Sequence, residues 1–408
     1  MRGKRVATLS LATLSIFAVA TAPVVHAYVF DTTVPSAGGC PQLDRWGLSV
    51  ANPLSRQWST SLPLAPATIV TAAPVQTAGQ LTEIEQAVTD SFAAWTGVTG
   101  TTFNAASYPG LIGPMERTSA QNACSNDSET NVDGVSTICF NQSSAGFTTG
   151  VLAFTRVITA NASGVSVGSS ATSTFAGQIL DADTLLCPNC HVTFATPAGL
   201  STTQGQGAYD LESILIHELG HWFGLDHSAV WMAIMFPYSP PPGQFLGNRP
   251  TTQTPDGPLS DDDRTAIRAL YPDPNDTVDV GSVSGRLVPA NPFALAAIPA
   301  TSAGRFVTGI VGGHIVVVDA DTGSVIAGTL SGWTCDASNP PLQFDGSFDI
   351  ERLPVGRTYM IYAEPLDGLV VPGDFGNALD TLCPQSGPSA CTLPPVNTNF
   401  NPRAMPSQ

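Results

Sequence analysis

Positive charge is scarce. The 408-residue chain carries 15 Lys and Arg against 32 Asp and Glu, a formal net charge of −17, and only 12% of its residues are charged. Lys4 is the single lysine. Arg2, Lys4 and Arg5 all fall in residues 1–27, which hold no acid. The chain from Tyr28 onward therefore carries 12 basic groups against 32 acidic ones, or −20. Such a surface repels phosphate, which excludes nucleic acid and anionic membrane surfaces as expected partners. Beyond residue 27 there is no sustained apolar run long enough to span a bilayer, so no transmembrane segment is expected in the mature chain. Internal repeats are also lacking. A hydrophobic content of 43% excludes a disordered chain, and 38 Gly and 34 Pro without strict periodicity exclude collagen. The length suffices for two domains, each with its own core.

The N-terminus reads as a signal peptide over 1–27. A basic start precedes the apolar run Val6–Ala22, and Val25-His26-Ala27 places small residues where a signal peptidase cuts. The expected location is therefore secreted, a setting that permits disulfides among the eight cysteines. Further on, Trp46 and Trp58 are apolar anchors in a Pro/Ser/Ala-rich segment. Leu81, Ile84, Val88, Phe92 and Trp95 share one helical face, with Gln80 or Thr82 as the expected cap and Gly97 as the stop. Residues 101–200 read as short strands, over 101–103, 136–141, 150–158 and 177–186. A second helix is expected over about 209–223 and a third over 261–270, capped by Ser260. Residues 272–276 read as a linker, and the pattern beyond it is all strand, with Asp319–Gly323 as a hairpin turn.

Residues 217–227 read His-Glu-Leu-Gly-His-Trp-Phe-Gly-Leu-Asp-His and hold three of the five histidines that follow residue 27. His217 and His221 are four apart, so a helix places both imidazoles on one face, one turn apart. Two neutral imidazoles there suit a zinc ion. Gly224 lets the chain leave the helix through a left-handed turn, which returns His227 as a third ligand. Three protein ligands leave a fourth position open, the arrangement of a catalytic site. Glu218 is placed to hold a water on that side. Eight residues past His227, Met235 lies in the tight turn Ala233–Pro237.

These residues resemble the metzincin metalloproteases, and within them the matrixins. Ser228 follows the third histidine as in matrixins, Met235 and Pro237 take the places of the Met-turn, and 259–271 is similar to the matrixin C-terminal helix. The resemblance covers about residues 42–272. It implies an α+β catalytic domain over 28–275, with a twisted mixed sheet and three helices. It further implies an edge strand at Val151, Leu152 and Ala153 that pairs with substrate, and a substrate pocket wall at 236–245 that includes Pro237 and Tyr238. Calcium, common in the family, is not assigned to residues: Asp181 and Asp183 read either as calcium ligands or as solvated strand acids. Residues 104–149 contain no histidine, so a structural zinc is not carried over.

Residues 280–383 resemble the carboxypeptidase regulatory-like β-sandwich, through Gly312–Val317, the Asp321–Gly323 turn and Leu353–Tyr359. A Pro-rich tail follows over 384–408. Cys187-Pro188-Asn189-Cys190-His191 has the letters of a haem attachment, a redox pair or a zinc half-site, and a small local disulfide is preferred. Cys124 and Cys139 are a candidate pair. Cys40 reads either as a latency cysteine or as an ordinary disulfide partner, with the disulfide preferred.

The function expected from the whole is a secreted zinc endopeptidase, with one zinc on His217, His221 and His227 and Glu218 as catalytic base. Its partners would be protein or peptide substrates, and a monomer is expected. The alternative is an exported adhesion or matrix-binding protein with a non-catalytic protease-like domain. The linker further suggests that 28–275 forms an active unit by itself.

Overall fold

Apolar residues three and four apart build the first helix. α1 (Ala78–Thr96) buries Ile84, Ala87, Val88, Ser91, Phe92 and Trp95 in one stripe and stops at Gly97. Its cap is Thr77, whose hydroxyl accepts from Gln80 N at 3.4 Å, and not Gln80 or Thr82. Gln80 is buried and donates to Ile69 O at 3.3 Å, while Thr82 bonds back to Ala78 O at 3.0 Å. The structure is a computed structural model. It describes residues 29–375 except 36–39, 50–53, 60–68, 76, 105–109, 119–133, 141–146, 148–149, 167–171, 188–191, 245–257, 277–278, 292–307, 336–341 and 367–368. The expected signal peptide, Cys124, Cys190, Cys383, Cys391 and the Pro-rich tail lie outside the described residues.

Among the described residues the main sheet has six strands: β1 (Arg45–Trp46), β2 (Leu54–Ser59), β3 (Ile112–Thr118), β4 (Thr137–Cys139), β5 (Ala153–Thr159) and β6 (Gln178–Leu186). Its order is β1-β6-β4-β2-β3, with all of these pairs parallel. β5 runs antiparallel along the other side of β6, from Ala153 opposite Leu186 to Thr159 opposite Ile179. Among the described strands β5 pairs only with β6, so it is an edge. The expected strand at 101–103 is instead a single bridge from Thr101 to Pro272, followed by a turn.

α2 (Leu211–Phe223) begins at Asp210, whose carboxylate accepts from Ser213 N at 3.1 Å. It ends at Gly224, with φ of 100°. A Cβ there would lie 2.0 Å from Asp44 O, so both the turn and the approach require glycine. Side-chain N–H groups join the layers: Trp95 donates to Ile216 O and Trp46 to Trp222 O, both at 2.8 Å. Tyr271 then donates to Phe223 O at 2.6 Å and accepts from Trp46 N at 2.9 Å, which fixes the end of the helix that carries the motif. α3 (Asp261–Leu270) opens with a capping box between Ser260 and Asp263.

The C-terminal region is β-rich. β7 (Val280–Arg286) pairs antiparallel with β10 (Ser347–Pro354), and β8 (His314–Asp319) lies between β9 (Val325–Leu330) and β11 (Tyr359–Glu364). The expected turn joins β8 to β9, with the Asp319 carboxylate accepting from Asp321 N and Thr322 N at 2.9 and 3.1 Å. Contacts cross the 272–277 segment in number. Ile315, Val317, Ile326, Phe348 and Ile350 belong to the same apolar core as α1, α2 and α3. Gly328 N on β9 donates to Asp262 Oδ1 on α3 at 2.6 Å. Cys40 is disulfide-bonded to Cys335, 295 residues away, so it is not a latency thiol. Cys139 and Cys187 are also in disulfides. No helix among the described residues is long and apolar enough to cross a membrane.

Candidate metal centre

α2 carries His217 and His221 one turn apart, and the glycine turn at 224 brings His227 to them. The ring centroids of the three lie 4.8 to 5.3 Å from one another, and one ligand atom from each falls within 4.8 Å of the others. Every Nδ1 is occupied by a backbone carbonyl. His217 donates to Ile234 O at 2.7 Å, His221 to Leu225 O at 2.8 Å and His227 to Asp374 O at 2.5 Å. Carbonyl oxygens only accept, so each neutral ring carries its proton on Nδ1 and keeps the Nε2 lone pair for a metal. Desolvation, reinforced by His227, pushes His217 down to about 3 and holds His221 well below the ordinary imidazole range. Both are therefore neutral at pH 7, the form a metal needs. Three imidazoles, with no fourth His, Cys, Asp or Glu grouped with them among the described residues, fit a catalytic zinc.

The turn at 233–237 is fastened from α3. Asp263 is 1% exposed, and its carboxylate accepts from Ile234 N at 2.8 Å, Met235 N at 3.2 Å and Ser260 N at 2.8 Å. It thereby fixes the Ile234 carbonyl that orients His217. Met235 is buried against α2: a Cβ on Gly220 would lie 2.1 Å from its Sδ, so the glycine between the first two histidines makes room for the methionine. Beside it, Asp262 accepts from the Ser228 hydroxyl at 2.6 Å. Burial, then the neighbouring charge of Asp263, pushes Asp262 up to about 7.

Glu218 is 5% exposed and follows the first histidine. Its Oε2 lies 2.8 Å from Thr155 Oγ1 on β5. Burial pushes the carboxyl up to about 7, against the pull of that hydroxyl. The edge strand thus comes directly against the helix of the motif. Ala153 opens β5 and is buried, while Val151 and Leu152 precede it and are half-buried. Leu152 O still accepts from Cys187 N at 2.8 Å. Pro237 is half-buried and Tyr238 is 42% exposed, with its hydroxyl 3.2 Å from Asp374 Oδ1.

Asp181 and Asp183, read above as calcium ligands or solvated acids, are neither solvated nor grouped with other metal-ligating residues in the described part of the chain. Asp181 accepts from Gly134 N at 3.1 Å, and Asp183 accepts from Thr137 N at 2.9 Å and pairs with Arg156 at 3.3 Å. Sequence reasoning missed Thr155, Asp262, Asp263 and Asp374. For Asp263 a signal existed, since it is the third residue after the N-cap Ser260. Asp374 is 147 residues from His227 and had none.

A model of the matrixin family matches residues 69–272, half of the chain. The chain belongs to the matrixins. His217, His221 and His227 form the zinc triad typical of this family. Metalloendoproteinase 1 of Glycine max is 42% identical over 64 residues, which cover 16% of this matrixin and 17% of the plant protein. The match spans less than a fifth of that relative's length.

Proposed function

We propose that this matrixin is a secreted zinc endopeptidase. The observation that carries the reading is the convergence of three Nδ1-anchored histidines beside a buried carboxylate. Zinc bound there would polarise the scissile carbonyl and make a water nucleophilic near neutral pH. Glu218 takes the proton of the attacking water and hands it to the leaving amine, a role matched to a carboxyl held near 7 by burial. Thr155 steadies the carboxylate from β5. A substrate chain extends the sheet along the free edge of β5, meeting Val151, Leu152 and Ala153 with main-chain hydrogen bonds. Pro237 and Tyr238 wall the pocket beyond the cleaved bond. The disulfide between Cys40 and Cys335 supports an oxidising, extracellular setting. The region from 280 onward is a module of the carboxypeptidase regulatory-like kind that shares its apolar core with the protease helices.

A peptide-library digest with cleavage sites read by mass spectrometry tests this. Internal cleavages, abolished by a zinc chelator and restored by added zinc, are expected. Release of terminal residues only, or cleavage indifferent to the chelator, would refute endopeptidase action.

A further inference from the structure

Two of the three ligand anchors come from within the matrixin match: Ile234 and Leu225 lie inside residues 69–272. The third does not. The acceptor for His227 Nδ1 is the carbonyl of Asp374, in the 3₁₀ turn Pro372–Asp374. His227 is also the ligand with least local support, because it follows Gly224 on a loop and not on α2. We infer that the segment 370–375 completes the metal centre, with Asp374 as the positioning residue for the third zinc ligand. The inference rests on the zinc reading of the triad.

The segment is held in place from two sides. Leu366, Val370 and Phe375 are buried with Val29, Phe236 and Leu330, and Phe375 is fully enclosed. Phe236 is the residue after Met235, so this apolar cluster seats the segment on the Met-turn. The Asp374 carboxylate closes its own turn by accepting from Val371 N at 2.8 Å, and it receives the Tyr238 hydroxyl at 3.2 Å. One residue therefore does two things. Its carboxylate latches the segment to the 237–238 wall, and its carbonyl selects the tautomer and orientation of His227. Outer partners of metal-bound imidazoles set ligand geometry, and their loss typically weakens metal binding by about 10–100-fold. Zinc affinity in this protein is thus set partly by a segment outside its protease fold.

The test uses the full mature chain. Zinc affinity is measured by chelator competition for wild type, Asp374→Gly and Asp374→Asn, with thermal unfolding of each zinc-free form alongside. Asp374→Gly removes the latch and frees the backbone that aims the carbonyl. Asp374→Asn keeps a side-chain oxygen to close the turn. Weakening by about 10–100-fold in the glycine variant, with zinc-free stability near wild type and recovery in the asparagine variant, is expected. Zinc affinity at the wild-type level in Asp374→Gly would overturn the inference. If that variant fails to fold, the wild-type protein decides: nitrogen-15 histidine spectra should show a His227 Nδ1 proton protected from solvent exchange, and rapid exchange of that proton would overturn the inference. Failure of wild type itself to bind zinc would instead overturn the zinc reading.

Discussion

Asp263→Ala should unfasten the metal centre from below. The carboxylate accepts from two N–H groups of the Met-turn, from Ser260 N and from the Ser260 hydroxyl at 2.7 Å. Ile234 and Met235 are 0% and 2% exposed, so water cannot replace the lost acceptor. Each orphaned buried donor costs about 1–3 kcal/mol, and loss of the capping box about 0.5–2 kcal/mol more. Removing a carboxyl whose burial is itself unfavourable offsets part of this. The net loss should be roughly 3–5 kcal/mol, a large share of the 5–15 kcal/mol typical of a folded protein. The Ile234 carbonyl should also lose its fixed place opposite His217 Nδ1, weakening zinc by about 10–100-fold. Asp263→Asn should fall between. Its one oxygen can keep the three contacts now made by Oδ2, while its amide faces Met235 N, donor to donor, for about 1–3 kcal/mol. Urea unfolding of the zinc-free chain and chelator competition measure both effects. A loss under about 1 kcal/mol in Asp263→Ala with unchanged zinc affinity would show that Asp263 does not hold the Met-turn in place.

Replacing Cys40 and Cys335 together by serine should lower stability by about 2–4 kcal/mol in urea, since the bond closes a long loop, while zinc content stays full because neither cysteine belongs to the histidine cluster; unchanged stability would count against it. Asp262→Asn should flatten the pH dependence of stability. The folded carboxyl sits near 7 and the unfolded one near 3.9, so the folded chain binds the extra proton and this group's contribution fades as pH rises from 4 to 7. Between pH 5 and 7 the wild type should lose roughly 2–3 kcal/mol that the variant keeps, and parallel curves would exclude it. A chain ending at Asp276 should bind zinc poorly or fail to fold, contrary to the separability that the 272–277 segment suggests. It lacks Cys335, the Gly328 N–H on Asp262 and the Asp374 carbonyl on His227. Wild-type zinc affinity in the folded fragment would show that these contacts are dispensable.

The parts of the site legible in the sequence are those encoded within a few turns of chain. The spacing of His217 and His221, the stop at Gly224 and the Met-turn are encoded locally, although partners such as Asp263 then fix where their side chains point. The helix α3 was equally plain, with Ser260 before three acids. What could not be read depends on distant chain segments. Thr77 caps α1 although Gln80 and Thr82 look as suitable in isolation, because Gln80 is drawn into the core to bond Ile69 O. Asp181 and Asp183 lie on a strand buried along its whole length, so acids that alternate like solvated residues are interior acceptors. The pairing of Cys40 with Cys335 and of Asp374 with His227 leaves no period or spacing to detect, since the first lies in a separate apolar cluster with Val311 and Phe344 and the second depends on a segment seated on Phe236 of the Met-turn.

The proposed chemistry makes Glu218 the base and not a ligand. Zinc content and peptidase rate, measured side by side on Glu218→Ala and His221→Ala, test it most directly. Glu218→Ala should keep its zinc on three intact imidazoles and lose about 10²–10⁴ in rate, the usual range for a general base. His221→Ala should lose both zinc and activity. Near-normal turnover in Glu218→Ala, or loss of its zinc, would show that Glu218 is not the base.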